Sequence, residues 1–153
     1  MARSKKPRRV RRRAGQQLAL LLGTWRVEIE FPGQLDYRPL VGSARFRWLV
    51  KDALMLVTTR VPGGPPASVC VLGADDTNRT LTMLYSDERR VVREYAMTLT
   101  REKWTLERKA TRFHQQFVGR FTPSRRRIHG TWQKSANGRR WEHDFKITYS
   151  KGR

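Results

Sequence analysis

From residue 24 to residue 149, turn chemistry interrupts the chain so often that only strands fit between the interruptions. The segments "FPGQ", "VKDA", "VPGGPP", "DDTN", "SDER", "TREK", "TPSR" and "SANG" carry the Pro, Gly, Asp, Asn and Ser residues that turns favour. About ten runs of strand length lie between them: 24–31, 44–51, 53–61, 67–73, 79–86, 90–99, 103–109, 113–122, 126–134 and 139–149. The first places Trp25, Val27, Ile29 and Phe31 on one face and Thr24, Arg26, Glu28 and Glu30 on the other, the period-two pattern of a half-buried strand. Short turns join antiparallel neighbours, whereas a parallel pair needs a crossover for which this chain has no room. The expected fold is all-β: an up-and-down antiparallel barrel of about ten strands, because closure removes the exposed edges.

The N-terminus differs. In "AGQQLALLLG" (14–23), Leu18, Leu21 and Leu22 fall at helical intervals and Gly23 follows as a natural cap, predicting a short helix of about two turns. Ahead of it, "MARSKKPRRVRRR" carries eight Lys/Arg and no acid. Such a block buries no apolar surface, so residues 1–13 are expected to be a disordered, solvated arm and residues 14–153 the barrel domain. Outside the arm, 25 basic side chains still face 13 acidic ones, so +12 of the formal charge of +20 belongs to the body.

The apolar run "LALLLG" is shorter than the core of a secretory signal and runs into the first strand without a small-residue cleavage site. No stretch approaches transmembrane length. With a single cysteine, Cys70, no internal disulfide is available. The expected compartment is the cytoplasm.

Several apolar strand faces carry one polar guest. In "VVREYAMTL", Val91, Arg93, Tyr95, Met97 and Leu99 share a face; in "FHQQFVGRF", Phe113, Gln115, Phe117, Gly119 and Phe121 do; in "WEHDFKITY", Trp141, His143, Phe145, Ile147 and Tyr149 do. These alternations direct Arg93, Tyr95, Arg108, Gln115 and His143 into the barrel with Trp48, Tyr85 and Trp132. A buried guanidinium needs a partner, so an inward arginine either has an internal one or meets an anion. One reading is a satisfied polar network in a filled barrel. The other is a ligand cavity for a hydrophobic small molecule bearing an acidic or carbonyl group.

Other chemistries lack their residues. The three histidines, His114, His129 and His143, lie on separate strands and share no ligand spacing, so no metal site is expected. There is no Gly-x-Ser-x-Gly, P-loop or dinucleotide fingerprint, and "VPGGPP" lacks the Lys-Ser/Thr of a phosphate cradle. Neither Ser86-Asp87-Glu88 nor Glu142-His143-Asp144 is a triad, since neighbours on a strand point to opposite faces. No catalytic residue is nominated.

Gly23-Thr24-Trp25 opens the first strand after a short helix, and Gly130-Thr131-Trp132 recurs near the last. The first unit resembles the calycin/lipocalin pattern, in which the glycine lets the preceding helix approach closely and the indole closes one barrel end. The C-terminal half is similar to the bacterial lipocalin-like domains of unknown function. The matching positions are Tyr85, the Tyr95-x-Met97 strand, Trp104 and Phe117-x-Gly119-x-Phe121, then Gly130-x-Trp132, the Asn137-Gly138 turn and Trp141-x-x-x-Phe145. With Gly23 and Trp25, the resemblance spans roughly residues 16–150. It implies a barrel with both indoles filling the core near a closed end, and it carries no activity across. The haem-binding nitrobindin-type barrel is similar in size and in its opening Leu-Leu-Gly-Thr-Trp. The C-terminus here does not show the histidine pattern expected of its iron ligand, so no haem or other cofactor is expected.

The arm supports a reading of another class. Arg8, Arg9, Arg11, Arg12 and Arg13 are suited to weak, non-specific contact with nucleic-acid phosphates or another anionic surface, the barrel serving as scaffold. The arm contains no aromatic residue to stack on bases.

Overall fold

The computed structural model describes residues 13–33 and 38–152. Each of the ten runs forms a strand: β1 (Gly23–Glu30), β2 (Leu40–Val50), β3 (Leu54–Arg60), β4 (Ser68–Ala74), β5 (Leu81–Asp87), β6 (Val92–Leu99), β7 (Lys103–Arg108), β8 (His114–Phe121), β9 (Arg127–Ser135) and β10 (Glu142–Lys151). Sequence neighbours pair antiparallel, and β1 also pairs with β10, which closes the barrel. β2 begins at Leu40 rather than residue 44, because Val41, Gly42 and Ser43 extend the ladder against β1. The expected arm lies outside the described residues except for Arg13, which is exposed. No helix among the described residues is long and apolar enough to cross a membrane.

The segment before β1 is a 3-10 helix, Gln16–Leu21. Its period of about three residues aligns Leu18 and Leu21 on one face, and both are fully buried. It covers the barrel end that carries the β2–β3 turn: a Cβ on Gly15 would meet the Asp52 carbonyl oxygen at 2.8 Å. The indole N–H of Trp25, itself fully buried, donates to the Leu21 carbonyl at 2.8 Å. Gly23 is not the helix cap that the sequence suggests but the first residue of β1, with φ +116°. An added Cβ there would meet only the Lys151 side chain. The backbone conformation, and not close approach of the helix, is therefore what requires glycine.

The second Gly-x-Trp unit does different work. Trp132 is half-buried in the half of the barrel away from the 3-10 helix, correcting the expectation that both indoles sit near the closed end. Its ring packs against Phe117 at 5.1 Å, Tyr95 at 5.7 Å and Phe145 at 6.2 Å between centroids. Gly130 makes room for the Phe117 ring, because a Cβ would lie 2.3 Å from Phe117 Cε2 and 2.9 Å from Ile147 Cγ2. Phe117 is held on another side by Trp104, 5.0 Å away, so it cannot swing clear. Gly130→Ala is expected to destabilise the barrel by about 1–3 kcal/mol through overpacking. An unchanged midpoint in chemical denaturation would contradict this packing.

Candidate functional site

Packing is dense beneath the 3-10 helix, where Leu18, Leu21, Trp25, Met55, Leu72 and Ile128 have no exposed surface. Towards the other end the barrel opens into a cavity of about 330 Å³. The inward faces of β3–β8, together with β10, build most of its wall. Tyr85, Tyr95, Trp104, Phe113, Trp132 and Phe145 supply aromatic surface, while Pro65 and Pro66 of the β3–β4 loop border it with Arg89, Arg93 and Asp144. An apolar enclosure with a few convergent polar groups is the usual make-up of a small-molecule site.

The polar groups differ in how far they are already satisfied. The Asp87 side chain is fully covered and accepts hydrogen bonds from the Tyr85 hydroxyl (2.7 Å), from Arg89 Nε and Nη2 (3.1 and 2.7 Å) and from the Arg89 backbone N–H (2.9 Å). Arg89 above all holds this carboxyl well below the usual carboxylate range, and the Tyr85 hydroxyl adds to the effect. Burial, followed by Asp87, pushes the Tyr85 phenol up. Burial likewise raises Tyr95, whose hydroxyl donates to Gln115 Oε1 at 2.6 Å. Asp144 lies 3.7 Å from Lys134 Nζ. Arg93 is half-buried, its guanidinium carbon 5.0 Å from the centre of the Phe113 ring. Among the described residues it forms no ion pair with a carboxylate. One donor of the wall is unused: Trp104 Nε1 is buried without a hydrogen-bond partner.

The depressed Asp87 pKa ties stability to pH. An unfolded aspartate titrates near about 3.9, so Asp87 stabilises the fold above that pH and loses its contribution as pH falls through the folded-state value. Asp87→Asn should cost stability at neutral pH, progressively less below about pH 3.9 and much less at about pH 2, flattening the acid side of the stability profile. Equal losses at neutral pH and at about pH 2 in urea denaturation would contradict the ionised Asp87–Arg89 pair.

Of the eight side chains expected in the cavity, Tyr85, Arg93, Tyr95, Gln115 and Trp132 line it together. Three do not. Trp48 is half-buried near the closed end of β2, opposite Met55, and packs on the core below the cavity. Arg108 points inward by alternation, but it is half-buried with Nη1 near the Phe113 carbonyl (3.4 Å), so it ties down the β7–β8 turn. His143 is exposed: the register slips between His143 and Phe145, and this irregularity breaks the alternation on which its inward placement depended. Asp144 lines the cavity instead.

Sequence reasoning missed Asp87 and Arg89, which sit in "SDER" and read as turn residues. Phe113, one residue before β8, shares the inward face of Gln115 by alternation but is not among the eight nominated side chains, and the paired prolines gave no signal beyond composition. Cys70 is buried on the cavity wall, and burial pushes its thiol up to about 12, which leaves it an unreactive thiol at neutral pH. Among the described residues no group of three or more His, Cys, Asp or Glu side chains is placed to hold a metal ion. Of the arginines assigned to nucleic-acid contact, Arg8, Arg9, Arg11 and Arg12 lie outside the described residues.

No protein-family model matches the chain, and no curated protein sequence matches it either. Its shape is similar to the crystal structure of Rv2717c from M. tuberculosis. The two superpose over 92% of this chain and 98% of that one, with a TM-score of 0.59 and 15% sequence identity. At that identity the likeness establishes the fold, a closed antiparallel barrel of ten strands.

Proposed function

We propose that the barrel binds a small, largely apolar molecule bearing a carboxylate or carbonyl group, held at Arg93. The observation that carries this reading is the contrast between two arginines on the same cavity. Arg89 is neutralised by Asp87, whereas Arg93 faces the cavity with an aromatic ring beside it and pairs with no carboxylate among the described residues. A partly desolvated guanidinium gains most from an anion that can meet it in bidentate fashion. Trp104 Nε1 offers a further donor to a carbonyl or hydroxyl oxygen, and the Tyr95–Gln115 pair a third polar point.

The volume limits the ligand. A cavity of 330 Å³ lies at the small end of ligand pockets, which run from about 300 to 1,000 Å³, and so suits a compact ligand or a single short acyl chain. Native mass spectrometry of gently purified protein is expected to show one small adduct that denaturation releases, or uptake of added decanoate at one molecule per chain. A bare chain that also takes up no decanoate would contradict the proposal.

A further inference from the structure

We infer that the outer wall of β7–β9 binds the phosphodiester backbone of nucleic acid, through residues that belong neither to the cavity nor to the N-terminal arm. The register sets two like charges side by side on this wall, with a histidine beside them. Lys103 of β7 lies directly opposite Arg120 of β8, which in turn lies opposite His129 of β9. Arg127 occupies the next outward position of β9, and all four side chains are exposed.

Strands lie about 4.8 Å apart, and like charges directly opposite one another destabilise a sheet unless something offsets them. No protein group does so here: among the described residues, none of Lys103, Arg120 or Arg127 pairs with a carboxylate. The adjoining β8–β9 turn adds Arg125 and Arg126. Arg125 has a left-handed backbone, φ +58°, and an Nε without a hydrogen-bond partner; Arg126 donates to the Lys151 and Gly152 carbonyls.

A linear polyanion is the partner that neutralises such a row, each phosphate contact releasing a counterion. A membrane surface fits less well, because peripheral binding to lipid adds apolar anchors to the basic residues. Among the described residues the exposed large apolar side chains are Val41, Leu49, Val50, Val69, Leu84 and Val92, on β2 and β4–β6, with none on β7–β10. Without exposed aromatic residues on this wall, contact is expected with phosphates and not with bases, hence with little sequence preference.

The test compares the full chain with Lys103→Ser/Arg120→Ser/Arg127→Ser, the arm intact in both, by fluorescence anisotropy on a labelled DNA duplex across a salt series. Loss of three phosphate contacts should lower the slope of log affinity against log salt by about two to three. The variant's melting temperature should not fall, since the change relieves repulsion across the strands. Equal slopes, no duplex binding by the full chain at low salt, or a melting temperature that drops sharply would each overturn the inference. Binding to phosphatidylserine vesicles that depends on these residues, without binding to the duplex, would also overturn it.

Discussion

Trp25→Ala is expected to lower the free energy of unfolding by about 3–5 kcal/mol. The indole is fully buried where β1 leaves the 3-10 helix, and its N–H holds the Leu21 carbonyl. Truncation therefore leaves a cavity beneath Leu18 and Leu21 and frees a carbonyl of the segment that covers the barrel end. Lys151 would also lose the ring over which its ammonium sits, 5.3 Å from the centroid. Urea denaturation measures the loss, and a change under about 1 kcal/mol would contradict the plugged end. Trp132→Ala should cost less, because one side of that ring already borders empty volume and has fewer contacts to lose.

This difference between two Gly-x-Trp units marks where the sequence stops being informative. Period-two alternation and turn residues define all ten strands and their antiparallel order, because each depends on neighbours a few residues apart. The two tripeptides look alike for the same reason. Only the closed register shows Gly23 supplying a left-handed φ and Gly130 supplying room for a ring from β8.

Five cavity residues were readable because Tyr85, Arg93, Tyr95, Gln115 and Trp132 keep strict alternation within their strands. His143 was misplaced because a single irregularity in the β9–β10 ladder breaks the alternation at Asp144, which borders the cavity in its place. Trp48 and Arg108 have the inward parity but lie at heights where the barrel is filled or where a turn carbonyl captures the side chain. Asp87 and Arg89 escaped notice because their pairing is made at the end of β5, where turn composition dominates the local pattern.

The second large effect concerns Arg93. Arg93→Met removes the charge while keeping much of the side chain's length, and Phe113 can still pack against the replacement. An apolar carboxylate should bind at least tenfold more weakly, a loss of about 1.4 kcal/mol or more. The fold should remain intact, since Arg93 holds no carboxylate among the described residues. Binding of the corresponding alcohol, which lacks the charge, should change little.

Trp104 and Trp132 line the cavity, so tryptophan emission reports its occupancy. The most direct measurement is a titration of the wild-type chain and Arg93→Met with decanoate and with decanol, followed by that emission. Decanoate should bind the wild type saturably at one site and the variant at least tenfold more weakly, with decanol affinity nearly equal in both. No saturable binding by the wild type, or the same affinity for decanoate with and without the guanidinium, would contradict a carboxylate site at Arg93.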